Sequence, residues 1–438
     1  MRYPLKFTSP EMAVRAIKSN DRVVLSNLCA EPRIIPPLLL DRAHELQNVR
    51  VFQLRPFGNY LERYLEPGME EHVKCSTAFT GGNKTINQLI KDGHADFYPI
   101  PLSRLPWLMR SGAFRPDVFV GIVSPPDDKG NCTLGISVDY GRAALETAST
   151  LIVEVNPNMP KTFGDTIVNF EEVDYFVESN ESIYELPPTK ISSLERRLGE
   201  NVASLVTDGA TIQIGYGGVS ESITSLLAEK HDLGLHSEMF PESAMTLVEH
   251  GVLTGARKSI QSGKATCAFA AGTKKLFSWL DQNAAVEFKP FDFTNDPKII
   301  ALNSKMTSIN AALQVDLYGN IYSDMLGFDQ YSGPGGQPDF VNGSQLCPDG
   351  VSIIVLPSTT SNGKLSRIVA HPSLTANPKA PLIPTVTRFD ADYVVTEYGI
   401  GYLRGKSTRE KAKALIEIAH PNFLDDLWKQ ARRMKLLN

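Results

Sequence analysis

The sequence contains no uninterrupted apolar run long enough to cross a membrane, and none opens the chain in the manner of a secretory signal. The first residues, MRYPLKFTSPEMAVRAIKSND, are interrupted by charges and favour a helix that begins after Ser9 and Pro10. We therefore expect a protein without a signal peptide and without a membrane partner.

Cysteine is scarce, with five residues in a chain of 438. Cys29, Cys75, Cys132, Cys267 and Cys347 are widely separated, so their spacing matches neither a metal knuckle nor a redox pair. An odd number of scattered thiols is typical of a reducing compartment. We expect a cytoplasmic protein that binds no metal.

Concentrated positive charge is also missing. The formal net charge is -5 and the chain has no long basic run, whereas phosphate backbones are bound by clustered lysine and arginine. Nucleic acid is therefore not expected as a partner, although the composition is compatible with local basic pockets.

A chain of 438 residues is long for one hydrophobic core and predicts two domains. Two prolines at Pro187 and Pro188 follow a charged segment and exclude a continuous helix there, which places the boundary between residues 1–187 and 188–438. Next to it, Ser192 and Glu195 fit the capping box of a helix over 193–206. Alternating strand and helix patterns predict open α/β domains with mostly parallel sheets.

The two halves repeat a pattern. Each half begins with a turn, at Asp21 in the first and at Asp208 in the second, and continues with a strand, a loop and a helix. Each half later contains a strand followed by an acidic Gly-Asn turn. These later segments are VFVGIVSPPDDKGNCTLG in the first half and AALQVDLYGNIYSD in the second. Gly130 lies 109 residues after Asp21, and Gly319 lies 111 residues after Asp208. These matched landmarks indicate two related domains.

Residues 210–240, ATIQIGYGGVSESITSLLAEKHDLGLHSEMF, are the centre of the functional interpretation. Alternation over 211–214 predicts a strand, and the glycines that follow end it. Ser220 is expected to cap a helix that ends near Lys230. Leu235–Met239 then predicts a second strand with Glu238 close to its carboxyl end.

A right-handed strand, helix and parallel strand would bring the glycine loop and Glu238 to the same edge of the sheet, where open α/β sheets bind ligands. Glu238 would then be a functional carboxylate beside backbone amides. The alternative is a strand-end glutamate that accepts a hydrogen bond from an amide. His236 is interpreted as a packed histidine and not as a base.

Two glycine-rich segments can present amides to an anion. GYGGVS can bind phosphate or a developing oxyanion, but it also fits a tight strand-to-helix turn, and it is not the GxGxxG of dinucleotide sites. YSGPGGQPDFVNGS, residues 331–344, can supply a second oxyanion donor or be a surface loop that packs back on the body.

Three charged residues in the last quarter of the chain are further candidates. Lys364 and Arg367 lie among small polar residues and suit a phosphate or carboxylate, or else a solvated turn. Glu397 follows an apolar strand and is either a second functional acid or a structural acceptor of hydrogen bonds.

Taken together, these segments resemble the acetyl-CoA hydrolase/transferase family, and within it the class I CoA-transferases. The resemblance covers nearly the whole chain, through SPPDDKGNCTLGISVD, EVNPNMPKTFGDT, DGATIQIGYGG, LHSEMF, GVLTGARKS, INAALQVDLYGN, SGPGGQPDF, VVTEYGIGYLRGKSTRE and AHPNF. Several such blocks in one order are more specific than any one of them. The fold that this resemblance implies is the NagB/RpiA-like CoA-transferase fold.

The resemblance implies a role for each matched position. It makes Glu238 the nucleophile that forms a glutamyl-CoA thioester, and it makes the amides of Gly218 and Gly336 the oxyanion donors. The residues expected to bind CoA are Gly215, Tyr216, Gly217, Gly218, Val219, Ser332, Gly335, Gly336 and Lys364. Many family members have proline where this chain has Ser220, a departure that bears on acyl-group specificity.

The implied activity is exchange of CoA between a short-chain acyl-CoA and a free carboxylic acid by a ping-pong mechanism. CoA would be substrate and covalent intermediate, with no permanently bound cofactor, and the protein would be a homodimer or larger homo-oligomer. The alternatives are an acyl-CoA hydrolase and a non-catalytic acyl-CoA-binding protein.

Overall fold

The computed structural model describes residues 7–360, 362–372 and 383–438. Short apolar segments form the strands of the first half, as expected for strands buried on both faces of a parallel sheet. These strands are β1 (Arg22–Leu25), β2 (Val49–Phe52), β3 (Val73–Thr77), β4 (Ala95–Phe97), β5 (Val118–Val123), β6 (Asn131–Thr133), β7 (Thr150–Val155), β8 (Phe163–Gly164), β9 (Ile167–Asn169) and β10 (Tyr175–Glu178).

The second half has a similar set of short strands. They are β11 (Thr211–Gln213), β12 (Gly234–Leu235), β13 (Met239–Pro241), β14 (Ala265–Cys267), β15 (Phe269–Ala271), β16 (Val286–Phe288), β17 (Met306–Ala311), β18 (Gln314–Asp316), β19 (Ile321–Tyr322), β20 (Met325–Leu326), β21 (Asp329–Gln330), β22 (Val351–Val355), β23 (Ile368–Val369), β24 (Tyr393–Thr396) and β25 (Gly399–Tyr402).

The α-helices are short, and several of them pack on the sheets. They are α1 (Pro10–Val14), α2 (Ile35–Asp41), α3 (Met69–His72), α4 (Lys84–Lys91), α5 (Leu105–Arg110), α6 (Gly141–Thr147), α7 (Ser193–Leu205), α8 (Gly218–Leu226), α9 (Glu242–Glu249), α10 (Lys274–Leu280), α11 (Phe291–Thr294), α12 (Pro297–Ile300), α13 (Gln337–Leu346), α14 (Thr408–Glu417) and α15 (Leu424–Arg433). In the described part of the chain, none of them is long and apolar enough to cross a bilayer.

Two large sheets dominate the described residues. The first is parallel throughout, in the order β10-β7-β5-β1-β2-β3-β4. The second has the order β12-β11-β17-β22-β24-β25 and is parallel except for the last pair. This arrangement confirms the predicted α/β class with mostly parallel sheets.

The two halves share a turn at the predicted Gly-Asn positions. Oδ1 of Asp127 accepts hydrogen bonds from the amides of residues 129 and 131, and Oδ1 of Asp316 accepts them from residues 318 and 320. Gly130 and Gly319 occupy the same place in the turn, with φ of 82° and 94°, a conformation that favours glycine. Common ancestry of the halves stays a hypothesis that this likeness supports.

The halves meet in one apolar core. A single buried cluster includes Val24 and Phe52 of the first sheet together with Ile212 and Ile353 of the second. Residues 179–192, which contain the predicted domain boundary, lie in no helix or strand. The boundary itself stays a prediction.

The helix predicted next to the boundary is confirmed, but the start predicted for the following helix is wrong. Ser192 caps α7 and forms the expected capping box with Glu195. Ser220 does not cap α8. That helix begins at Gly218, three residues earlier than a cap at Ser220 would place it, because Gly217 adopts φ of 99°, which turns the chain directly from the loop into the helix.

The contact between α7 and α8 fixes the position of the glycine loop. A Cβ added at Gly199 of α7 would lie 2.3 Å from Oγ of Ser222 and 3.2 Å from the amide nitrogen of Ile223, both on α8. We expect Gly199→Ala to push the helices apart and to destabilise the protein by about 1 kcal/mol, the overpacking cost being partly offset by the higher helix propensity of alanine.

Chemical denaturation measures this change, with Glu200→Ala on the exposed side of α7 as the matched control. Equal or greater stability of Gly199→Ala relative to that control would contradict the close contact.

Candidate active site

A cavity of about 450 Å³ lies between the two sheets. Its first-half wall comes from residues that follow β1, β2 and β3, and its second-half wall from residues that follow β11 and β17. The carboxyl ends of both parallel sheets therefore face the same space, the place at which open α/β sheets bind ligands.

Glu238 lies in the wall of this cavity and is half-buried. It is not within a strand, as the sequence predicted, but at a bend between β12 and β13. The chain changes sheets here: the amide of His236 donates to Ile212 on β11, while the amide of Ser237 donates to Thr266. The carbonyl of Glu238 then accepts from the amides of Ala268 and Phe269 at 2.9 and 3.0 Å.

The predicted proximity of Glu238 to the glycine loop is nevertheless correct. β11 and β12 pair in parallel, so the glycine loop after β11 and the segment after β12 emerge at the same edge. Gly215, Tyr216, Gly217, Gly218 and Val219 all line the cavity with Glu238.

The carboxylate of Glu238 has an unusual environment. Nδ2 of Asn295 donates to its Oε2 at 3.3 Å. Burial raises the pKa of Glu238 to about 7; the negative charge of Asp339 acts in the same direction, and the Asn295 hydrogen bond acts against it. Glu238 therefore titrates near neutrality, and its ionised form is less stabilised than that of an exposed glutamate.

Asp339 and Asn295 were not identified from the sequence. The carboxylate of Asp339 is buried and accepts hydrogen bonds from the amide and hydroxyl of Ser103, and burial raises its pKa to about 6. The side chain of Asn295 also hydrogen-bonds to Asp339, while its Oδ1 accepts from Thr294. Asn295 thus lies between two carboxylates that are 101 residues apart in sequence, a relation that no local pattern signals.

The second glycine loop also lies in the cavity wall. Ser332, Gly335 and Gly336 all line it, and the loop packs on the first half, where Leu102 donates its amide to the carbonyl of Gly335. A Cβ at Gly336 would lie 2.1 Å from Oε2 of Glu238 and 2.4 Å from Nδ2 of Asn295. Only glycine permits this approach to the carboxylate.

Backbone amides at the start of two helices border the cavity. The amides of Gly218 and Val219, at the start of α8, and that of Gly336, just before α13, have no hydrogen-bond partner among the described residues. Such amides can donate hydrogen bonds to a negatively charged ligand. Gly218 itself lies against the carboxylate of Glu195, since a Cβ there would be 2.0 Å from its Oε1.

The remaining charged candidates lie elsewhere. Lys364 is exposed and is absent from the cavity wall. The side chain of Arg367 donates to the carbonyls of Thr359 and Leu313. Glu397 accepts hydrogen bonds from both the amide and the hydroxyl of Ser358, as expected if its role is structural.

His236 is the packed histidine that the sequence predicted. It is fully buried, its Nε2 donates to the carbonyl of Thr294 at 2.9 Å, and burial lowers its pKa to about 3. It is therefore neutral, and it is not among the residues that line the cavity.

The cysteines are all buried and unpaired. Cys29 follows Leu28, a residue of the cavity wall, and burial raises the pKa of its thiol to about 12. Within the described ranges, no group of three or more histidine, cysteine, aspartate or glutamate residues could hold a metal ion.

The chain matches models of two domains. Residues 1–187 match the acetyl-CoA hydrolase/transferase N-terminal domain, and residues 272–431 match the C-terminal domain of the same family. Glu238 lies between the two matched ranges.

Named relatives cover the whole length. The chain is 37% identical to 4-hydroxybutyrate coenzyme A transferase of Clostridium kluyveri, over 98% of each chain. It is 35% identical to butyryl-CoA:acetate CoA-transferase of Anaerostipes caccae, over 99% of this chain and 97% of the relative. The crystal structure of RipA from Yersinia pestis superposes with a TM-score of 0.90 at 32% identity, over 99% of each chain.

These matches confirm the resemblance inferred from the sequence blocks. Both of these full-length relatives are named CoA transferases, and the structural likeness to RipA extends over 99% of the chain. The chain belongs to the acetyl-CoA hydrolase/transferase family.

Proposed function

We propose that this protein is a CoA-transferase that moves CoA between a short-chain acyl-CoA and a free carboxylic acid, with Glu238 as its nucleophile. The observation that carries this proposal is the carboxylate of Glu238, half-buried in a cavity between two sheets, with Gly336 against it and unpaired amides nearby. The relatives' names support CoA transfer as the overall reaction.

In the first step, an ionised oxygen of Glu238 attacks the thioester carbonyl of the donor. The C–S bond breaks, CoA leaves as thiolate, and an acyl-glutamyl anhydride forms. The thiolate then attacks the glutamyl carbonyl, which gives a glutamyl-CoA thioester and releases the donor acid as carboxylate. The acceptor carboxylate runs the same two steps backwards, so no proton is gained or lost overall.

The environment of Glu238 fits this chemistry. A carboxylate is a weak nucleophile in water, but positioning can provide effective molarities of about 10⁵ M or more. Partial burial with a single hydrogen-bond donor leaves the carboxylate poorly stabilised and therefore more reactive. The amides of Gly218 and Gly336 are the proposed donors to the oxyanion that develops on the carbonyl oxygen.

The other residues proposed to bind CoA lie in the two glycine loops. We propose that Gly215, Tyr216, Gly217, Val219, Ser332 and Gly335 contact CoA, because they line the same cavity. Lys364 lies outside the cavity wall, so we propose that it contacts a part of CoA that extends beyond the cavity. Binding the distant nucleotide end of CoA would help to stabilise the anhydride step.

The cellular setting is also a proposal. CoA is proposed as substrate and covalent intermediate, with no cofactor held permanently. The buried, unpaired cysteines support a reducing compartment such as the cytoplasm. A homodimer or larger homo-oligomer is the expectation from the family.

Mixing the protein with acyl-CoA in the absence of an acceptor should produce a covalent adduct. Intact-mass spectrometry is expected to show an increase equal to the mass of CoA less one water, and Glu238→Gln should lose the adduct together with about 10³-fold or more of the turnover. Glu242→Gln, a nearby glutamate outside the cavity, is the matched control.

An adduct that survives Glu238→Gln would contradict the assignment of the nucleophile. A hydrolase would release free acid at the same rate without any acceptor, whereas a transferase forms a new acyl-CoA only when an acceptor acid is added. A non-catalytic binding protein would form no adduct.

The first half-reaction should depend on pH. Because the pKa of Glu238 is about 7 and only the ionised carboxylate attacks, kcat/KM for the donor should fall about tenfold per pH unit below that pKa. Asp339→Asn removes the nearby negative charge, so it should shift this acid limb to lower pH. Stopped-flow measurement of adduct formation across pH tests both statements. If the acid limb of the pH profile stays in place or moves to higher pH in Asp339→Asn, the electrostatic coupling between Asp339 and Glu238 is contradicted.

Gly336→Ala should misplace the carboxylate of Glu238, because the added methyl overlaps Oε2. We expect a loss of about 10²-fold in kcat/KM, as displacement of a reacting group by about 1 Å produces losses of this size. Gly141→Ala is the matched control, since its Cβ would make only ordinary contacts, the nearest at 3.6 Å. Wild-type kinetics in Gly336→Ala would argue against the close approach.

A further inference from the structure

Arg55 is a charged residue of the cavity wall that the reaction described above does not use. It follows β2 and is half-buried. Its guanidinium carbon lies 4.7 Å from the centroid of the Tyr216 ring, and Tyr216 also lines the cavity. Among the cavity-lining residues that the structure describes, Arg55 is the single lysine or arginine.

The guanidinium of Arg55 has no hydrogen-bond acceptor and no ion-pair partner among the described residues. Arg33 provides a contrast, because it also stacks on a tyrosine, Tyr184, at 3.9 Å, yet donates a hydrogen bond to the carbonyl of Ser182. A half-buried cation without an anionic partner is unfavourable for the fold alone. This position therefore suggests an anion that arrives with the ligand.

The segment that carries Arg55 is held in place. The amide of Arg55 donates to Oδ1 of Asn27 at 3.2 Å, and the amides of Phe57 and Gly58 donate to the buried carboxylate of Glu31 at 2.7 and 2.9 Å. A Cβ at Gly81 would lie 2.9 Å from Nε of Arg55, so a neighbouring loop packs closely on the side chain. The backbone at Arg55 is thus held by hydrogen bonds, and its guanidinium packs against Gly81 and the Tyr216 ring.

Arg55 and Glu238 occupy different parts of the cavity. The ring of Phe79 packs against both loops, since a Cβ at Gly81, beside Arg55, and a Cβ at Gly335, which precedes Gly336, would each lie 3.2 Å from that ring. The charges and hydrogen bonds that act on Glu238 come from Asp339 and Asn295 and not from Arg55. A group bound by Arg55 is therefore distinct from the carbonyl that Glu238 attacks.

We propose that Arg55 binds a second carboxylate at the far end of the acyl chain, and that the protein therefore prefers dicarboxylic acids and their mono-CoA thioesters. This inference rests on the proposed function. One guanidinium presents a planar pair of donors that matches one carboxylate. The phosphates of CoA carry several charges, and the described cavity wall offers them no second cation.

Two donors of equal chain length test this assignment, with acetate as the common acceptor. Wild-type protein should have a higher kcat/KM for succinyl-CoA than for butyryl-CoA. Arg55→Gln should lower kcat/KM for succinyl-CoA roughly 10- to 100-fold, because a charge-assisted hydrogen-bonded pair is lost. The same change should alter kcat/KM for butyryl-CoA less than about threefold. Arg55→Lys keeps the charge without the planar fork and should recover part of the succinyl-CoA activity.

Arg33→Gln is the matched control, because it removes another tyrosine-stacked arginine that lies outside the cavity, and it should preserve the ratio between donors. An equal loss with both donors, together with weaker binding of free CoA, would place Arg55 on a CoA phosphate and overturn the proposal. An unchanged donor ratio in Arg55→Gln and Arg55→Lys would also overturn it.

The covalent adduct separates failure of this inference from failure of the proposed function. If wild-type protein forms the adduct with both donors but shows no preference for succinyl-CoA, the role of Arg55 is wrong and the transferase mechanism stands. If neither donor forms an adduct, the mechanism itself is overturned, and the proposal for Arg55 is overturned with it.

Discussion

The contact between the carboxylate of Glu238 and the backbone at Gly336 is the constraint on which the site depends. It brings together a bend in the second half of the chain, a glycine loop that packs on the first half, and the side-chain amide of Asn295. Each partner comes from a different part of the fold, so the carboxylate acquires its environment only when both sheets are assembled. The same contact leaves no room for a side chain at residue 336.

The shared core explains why this geometry can be maintained. One buried cluster reaches from Val24 and Phe52 to Ile212 and Ile353, which joins the sheets beneath the cavity. Cavity walls built on the carboxyl ends of two connected sheets change shape mainly through their loops. We infer that the positions of Glu238, Asn295 and the glycine loops are set by the core, as a reaction that depends on positioning requires.

Much of this arrangement could be predicted from the sequence, for identifiable reasons. Repeated strand and helix patterns predicted the α/β class, the Ser192 capping box predicted α7, and parallel pairing of neighbouring strands predicted that the glycine loop and Glu238 would share an edge. The errors were local. Gly217 starts α8 earlier than Ser220 suggested, and Glu238 lies at a bend because its flanking residues pair with different sheets. Asp339, Asn295 and Arg55 were missed because only tertiary packing brings distant segments together.

The burial of Cys29 affects the fate of a reactive thioester. A thiolate at this position would compete with Glu238 for the acyl group, because it could exchange with the thioester to give an S-acyl cysteine and release CoA as thiolate. Burial raises the pKa of the Cys29 thiol to about 12, which keeps it protonated near neutral pH and therefore unreactive toward the thioester. The apolar packing that stabilises the fold therefore also protects the enzyme from acylating itself.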